Sequence, residues 1–260
     1  MRRGLRACGP VCALAVLSLL LSGCSSYMSV VKPVPKLSVL SPELENLTDV
    51  VIETYLKADV RPVFPSVLAV AKVRPATVSN YGYRKVEKDA ALEVLRGEEA
   101  DGWRRMIGPV AGGGEALLEQ VQFVSSLLVK NPVTLKGLRD SAALLHAPLL
   151  LVYLQDDSQS AGYNDAAMAY WTIVGLFVVP GNTVGHYTTC QGVLIDTRSG
   201  FILATAEGEA KREENVLRGA VHIARDRVEQ QAQAEAVADL QKSFRETLAG
   251  LARSRGGRVE

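Results

Sequence analysis

Three groups of residues in this chain have the types and spacing that chemistry requires. His186 and Cys190 lie four apart, which on a strand puts both on one face and supplies two metal ligands. Zinc takes three or four, and the chain has three histidines in all, so the pair predicts no metal site; Cys190 reads instead as a small buried hydrophobe. Asp156 and Asp157 form an acid pair, the raw material of general acid–base catalysis, but acids leaving an apolar run also serve simply to end a strand in water. Gly112, Gly113 and Gly114 give a flexible loop without the Lys-Ser/Thr that would make it a phosphate cradle. His146 and His222 read as helix-surface or cap residues, and no Gly-x-Ser-x-Gly elbow occurs. No nucleophile, base and charge-stabilising donor can be named together, so the expectation is a protein with no catalytic residues, no cofactor and no metal.

Cys24 is a different matter. Arg2, Arg3 and Arg6 make a positive start, the run 11–21 is apolar but shorter than a bilayer span, and Leu21-Ser22-Gly23-Cys24 follows at once. This string resembles the lipobox of bacterial lipoproteins, which implies diacylation of the Cys24 thiol and cleavage before it. The expected organisation is a signal peptide over 1–23, lipidated Cys24 with a Pro-containing tether over 24–40, and a periplasmic domain over 41–260. Ser25 in place of aspartate resembles the outer-membrane address of Gram-negative lipoproteins, so the predicted location is the periplasmic face of the outer membrane, with the inner membrane as the other address.

Composition agrees and names no partner beyond the bilayer. Removing 23 of 260 residues leaves 237, enough for a full core, and 26 bases then face 28 acids for a formal charge of −2, with no nucleic-acid signature. Cys8 and Cys12 leave with the signal, so Cys190 has no partner for an intramolecular disulfide.

The elements that must position these residues follow from periodicity. Lys32-Pro33-Val34-Pro35-Lys36 predicts an extended tether; Ser41-Pro42 opens a helix to about residue 59 with Leu47, Val51 and Tyr55 in register. The apolar run 65–73 predicts a strand buried on both faces, and 87–106 predicts mostly helix, with Gly97 and Gly102 as points that can divide it. A short helical turn and then a strand are expected within 117–129, and Thr134 caps a helix ending near His146. The run 149–154 predicts a central strand that stops at Asp156-Asp157. Stretches 188–196 and 201–211 flank Thr197-Arg198-Ser199-Gly200 as a hairpin, and 214–253 predicts one long helix. The fold class is α/β (α+β): a single mixed-sheet sandwich domain with helices on its faces, a late β-hairpin and a long C-terminal helix.

Segment 166–184 is the most apolar stretch after the signal. Periodicity leaves it open as helix or strand, and as a membrane span, a core segment or an exposed sticky surface that contacts the membrane, a partner protein or another copy. Gly175 within the run, Pro180-Gly181 at its end and many β-branched residues speak against a span.

A family resemblance joins these elements. The strand near Val67, then Leu151-Val152-Tyr153, Tyr170-Trp171-Thr172-Ile173-Val174-Gly175, Pro180-Gly181 and Ile195-Asp196-Thr197-Arg198-Ser199-Gly200 resemble, in order, the rhombotarget lipoproteins. The run 193–204 is similar, at greater distance, to the late hairpin of the curli-secretion lipoprotein and of the amino-terminal domain of the Tol translocation protein B. These resemblances imply an α/β sandwich in the cell envelope without a catalytic centre. The resulting expectation is a membrane-anchored, non-enzymatic binding or assembly factor. Its interaction surface comprises Tyr170, Trp171, Ile173, Leu176, Phe177 and Val179, and its partner is an envelope protein or another copy. The competing expectation is a pore or secretion subunit in which 162–179 and 183–191 form an amphipathic barrel hairpin, although 173–179 lacks the polar alternation of a barrel strand.

The anchor is tested by intact mass and membrane fractionation beside Cys24→Ala. The wild type should run about 0.8 to 0.9 kDa above the chain starting at Cys24, the mass of two or three acyl chains, and sediment with membranes. A Cys24→Ala protein equally membrane-bound and equally processed removes the anchor.

Overall fold

The computed structural model describes residues 32, 48–58, 60, 62–74, 77–81, 84–88, 90–95, 97–108 and 116–253. Cys24, the expected cap at Ser41 and Gly112-Gly113-Gly114 lie outside them. The backbone contacts of the described residues group into two compact units: 32–158 with 187–211 and 229–253, and 159–186 with 212–228.

The larger unit is organised around β1 (Ser66–Arg74). Its sequence, rich in Val, Ala and Leu, suits a strand with neighbours on both edges and covers on both faces. On one edge it pairs in parallel with β6 (Leu149–Tyr163), Leu68 opposite Leu149 and Lys72 opposite Tyr153. On the other it pairs in parallel with β5 (Leu118–Phe123) and, further along, antiparallel with β4 (Ala91–Glu93). Beyond β6 the sheet continues through β7 (Asn182–Asp196) and β8 (Ile202–Val216), while β2 (Thr77–Tyr81) and β3 (Arg84–Lys88) form a separate two-stranded ribbon.

Strand alternation sorts the side chains into two cores. Leu68, Val70, Leu149, Leu151 and Tyr153 face one side, and Ala69, Ala71, Val73, Leu150, Val152 and Leu154 the other. The first side is covered by α2 (Gly97–Arg104) through Ala100 and Trp103, and by α5 (Val221–Arg253) through Ala236, Leu240, Phe244 and Leu248, which recur every four residues along one stripe. The second side is covered by α3 (Leu135–Leu144) through Leu138 and Ala142. Thr134 caps α3 by accepting the Gly137 N–H at 3.2 Å, as its sequence predicts.

Between β7 and β8 the expected turn forms: Asp196 accepts the Ser199 N–H (2.7 Å) and Ser199 hydroxyl, and the Arg139 guanidinium of α3 donates to the Thr197 and Arg198 carbonyls at 3.2 and 3.0 Å. A first helix, α1 (Asp49–Lys57), lays Tyr55 edge-on against Phe201 at 4.7 Å. Lys32, the one described residue of the expected tether, pairs with Glu209 on β8.

Four expectations about elements change. Within 87–106 the helix is confined to the part after the expected break at Gly97: β3 ends at Lys88, β4 occupies Ala91–Glu93, and α2 begins at Gly97 and runs through Gly102. The open edge of β1 needs hydrogen-bond partners, and Glu93, which lies opposite Lys72 and near Arg74, answers their charges, so pairing outweighs the helix propensity of Ala-Leu-Glu. The same need draws 118–123 straight into β5, with no helical turn before it. Strand β6 does not stop at Asp156-Asp157 but runs on to Tyr163, because donors from neighbouring elements satisfy Asp157 within the sheet. The last helix starts at Val221 and not at residue 214, since 214–216 complete β8 and bury Val216.

Gly208 sets how closely α5 can sit on β8. A Cβ there would lie 2.2 Å from the Leu240 amide nitrogen and 2.3 Å from the Ala236 carbonyl, both rigid helix backbone. Gly208→Ala should therefore push the helix off the sheet and cost about 2 to 3 kcal/mol, seen as a fall of roughly 5 to 10 °C in the thermal midpoint. An unchanged midpoint would mean that the helix does not pack at this distance.

Candidate functional site

The smaller unit contains the segment that the sequence leaves open. Its base is the end of β6, the start of β7, the end of β8 and the first turns of α5, with Val184, Val216 and Ala224 buried together and Val221 against them. Between β6 and β7 the chain forms a cap: a 3-10 turn over Asp165–Trp171, then α4 (Ile173–Val178). Asn164 opens the first by accepting the Ala166 N–H at 3.0 Å, and Thr172 opens the second by accepting the Gly175 N–H at 2.9 Å. Thr172 also donates its hydroxyl to the Ala169 carbonyl at 2.9 Å. The two pieces meet so closely that a Cβ on Gly175 would lie 1.9 Å from the Ala169 oxygen, so only glycine fits.

Polar side chains tie the cap to its base. Asn164 Nδ2 donates to the Pro180 carbonyl (3.0 Å) and to Thr183 Oγ1 (3.1 Å), and Thr183 donates to Asn215 Oδ1 (2.6 Å). The Tyr170 hydroxyl accepts from the Gly181 N–H (2.9 Å) and Asn182 Nδ2 (2.8 Å). What the cap shows outward is apolar: Trp171 is 95% exposed, Ile173 80%, Val174 69%, Phe177 73% and Val178 64%.

Of the six residues expected to form an interaction surface, Trp171, Ile173 and Phe177 are exposed, while Tyr170, Leu176 and Val179 are half-buried at the cap's inner side. Val174 and Val178 join the exposed face and were missed. The signal for them is the i, i+1, i+4, i+5 spacing of 173, 174, 177 and 178, which marks one side of a helix but has no meaning until helix is distinguished from strand.

Among the described residues no helix is long and apolar enough to cross a membrane, and α4 has six residues, about 9 Å of rise. The barrel hairpin of 162–179 with 183–191 does not form either, since 165–171 and 173–178 are helical.

In the larger unit the acid pair and the thiol are not arranged for chemistry. Asp156 and Asp157, being consecutive on β6, point to opposite faces. Asp157 accepts from Thr188 Oγ1 at 2.6 Å, Gln155 Nε2 at 3.0 Å and Gln233 Nε2 at 3.2 Å, so the two acids are not a catalytic pair. Cys190 is fully buried, and burial pushes its thiol up to about 12 against the pull of Lys72, which leaves almost no thiolate near neutrality. His186 is buried in the smaller unit, while His146 and His222 lie exposed. Among the described residues no group of three or more His, Cys, Asp or Glu could hold a metal ion.

One polar cluster escaped the sequence reading. Lys72 is the charged residue within the buried part of β1, on the same face as Leu68 and Val70. Its ammonium lies 3.1 Å from Glu99 Oε1 on α2 and 3.8 Å from Glu93 on β4. The Tyr153 hydroxyl donates to the same Glu99 oxygen at 2.6 Å, and Gln241 of α5 donates to the Glu99 carbonyl at 3.2 Å. Burial, followed by the charge and hydrogen bond of Glu99, raises the Tyr153 phenol well above its ordinary value. The Tyr153 ring also packs against Trp103 at 5.5 Å, and Trp103 against Phe244 at 5.8 Å. The sequence signal was a lysine in a strand otherwise buried, which demands a carboxylate partner from another element.

No protein-family model and no curated protein matches the chain. Among solved structures it is similar to a PelC variant dodecamer from Paraburkholderia phytofirmans, at 14% identity and a TM-score of 0.29, over 70% of this chain and 94% of that one. It is also similar to a candidate lipoprotein from Caulobacter crescentus CB15, at 15% identity and a TM-score of 0.23, over 45% of this chain and 81% of that one. At TM-scores below 0.5 neither likeness establishes the role of this chain, and neither carries the rhombotarget resemblance.

The Lys72 cluster makes its own prediction. Lys72→Ala strips the cation from Glu99 and should cost about 2 to 3 kcal/mol in urea unfolding, whereas the double change Lys72→Met with Glu99→Gln, which removes both charges and keeps the bulk, should recover part of that loss. Equal destabilisation by the two proteins would show that packing, and not the unpaired carboxylate, carries the cost.

Proposed function

We propose that the protein is a lipid-anchored, non-enzymatic binding or assembly factor of the bacterial envelope, whose contact element is the outward face of α4 and the turn before it. The observation that carries this reading is the exposure of Trp171, Ile173, Val174, Phe177 and Val178 side by side on a cap held by an ordered polar base. Scattered apolar residues on a surface are ordinary; a contiguous set that includes an indole and a phenyl ring marks a place where something else sits.

The remaining parts of the reading rest on sequence. Cys24 within Leu21-Ser22-Gly23-Cys24 supports the anchor, and Ser25 supports an outer-membrane address facing the periplasm. The engagement of Asp157, Glu99 and Cys190 in internal contacts supports a role without catalysis. A pore subunit built on a hairpin over 162–191 finds less support, because the cap is helical where that hairpin needs a strand.

A photo-crosslinking residue placed at Val174 in the intact protein should give adducts in cells, and one at the exposed Lys136 on α3 should not. The double variant Trp171→Asp with Phe177→Asp should keep its thermal midpoint within about 2 °C of wild type, since the side chains it alters are already in solvent, yet lose the Val174 adduct. If position 174 yields no more adduct than position 136, the cap is not a contact element.

A further inference from the structure

We infer that the occupant of the cap's apolar face is the surface of a lipid bilayer, an inference that rests on the contact-element reading above. Three observations carry it. The cap's one acid is the exposed Asp165 at its root; from residue 166 to residue 185 the chain has no Asp, Glu, Lys or Arg, so the outward face of the cap offers a protein partner no charge to pair with.

Many of the cap's polar groups are turned inward. The Ala167, Thr172, Leu176 and Val179 amides donate to carbonyls within the cap or at its root, the Ala166 and Gly175 amides are taken by Asn164 and Thr172 side chains, and the Tyr170 hydroxyl faces Gly181 and Asn182. A protein interface carries about one hydrogen bond per 100 to 200 Å², and a surface built for one leaves donors and acceptors for it. A surface that satisfies most of its backbone donors internally and shows hydrocarbon outward suits the acyl boundary of a bilayer, where hydrogen-bonding partners thin out.

The third observation is the cation beside the patch. The 3-10 turn Arg218–Ala220 packs against α4, and Arg218 is exposed with no ion-pair partner among the described residues. Ile223 follows it, 72% exposed. Trp and Phe with aliphatic residues, with a guanidinium beside α4 and the acid Asp165 set back at the start of the cap, are the composition of an element that dips into the headgroup and upper acyl region and places its cation at the phosphates. Six residues of helix reach only that boundary and not the opposite leaflet. The anchor proposed at Cys24 would keep the local lipid concentration high enough for a small patch to stay engaged.

The test uses the full-length protein reconstituted in vesicles of phosphatidylethanolamine and phosphatidylglycerol whose acyl chains carry bromine near the headgroup end. Trp103 and Trp171 are the two indoles, and Trp103 is fully buried, so Trp171→Phe isolates the Trp171 signal. Bromolipid should remove roughly half or more of the Trp171 emission, as contact with the acyl boundary requires, and leave the Trp171→Phe protein unchanged. Quenching of Trp171 by aqueous acrylamide and not by bromolipid overturns the inference; adducts to protein from the Val174 probe in cells would then keep the contact-element reading alive. Protection of Trp171 from both quenchers, with a dimer in sedimentation, also overturns it and assigns the face to a second copy. Lipid adducts at Val174 together with bromolipid quenching establish it.

Discussion

Strand β1 is sealed on both faces and engaged on both edges, and most of the larger unit follows from that condition. A strand with Leu68, Ala69, Val70, Ala71 and Val73 all excluded from solvent cannot leave its backbone groups to water, so β6 pairs one edge and β5 and β4 share the other. Two covered faces in turn require helices on both sides, which α2 and α5 supply on one and α3 on the other. Even the polar cluster is a consequence. Alternation forces Lys72 onto the face that α2 and α5 cover, and its charge is tolerable there because Glu99, Glu93 and Tyr153 converge on it.

The smaller unit obeys the opposite logic. Among the described residues its apolar core is Val184, Val216 and Ala224 with Val221 against them, and hydrogen bonds add order around it: Asn164, Thr183 and Asn215 at the root, Thr172 between the two helical pieces, and Tyr170 against Gly181. Directional bonds fix the backbone while leaving large apolar side chains free of packing duties. That combination lets Trp171 and Phe177 stay in solvent without the cap collapsing over them, and it is why their replacement should change association before stability.

Signals that are local were legible in the sequence. Thr134 as a cap, the Asp196-to-Ser199 turn and the doubly buried strand at 66–74 each depend on residues within a few positions, and each is present. What failed depends on partners far along the chain. Ala91-Leu92-Glu93 reads as helix until the free edge of β1 is known to need it; Asp157 reads as a strand terminator until Thr188 and Gln233 arrive to satisfy it. The contact face was half legible for the same reason. Trp171, Ile173 and Phe177 stand out by size alone, but Val174 and Val178 become surface only once Thr172 has set the helix, while Tyr170 is drawn inward by Gly181 and Asn182.

The chain distributes its charge in a way that bears on why the cap is bare. Strand β8 ends the sheet order and would be a template for pairing with another chain, yet Glu207, Glu209 and Lys211 punctuate it, with Gln191 hydrogen-bonded to Glu207 and Lys32 to Glu209. The Lys32 bond and that of Tyr187 hold Glu209 below its ordinary carboxylate range, so it stays charged across the pH range in which the strand needs guarding. The same chain that guards an edge with charges carries none across the twenty residues containing Trp171 and Phe177. An exposed apolar face that arose merely from poor packing would gain solubility from a single lysine at almost any of those positions, at a cost near zero to stability. Its absence from all of them, beside an Arg218 that has no ion-pair partner among the described residues, fits a face whose outer medium is itself apolar and whose border is anionic.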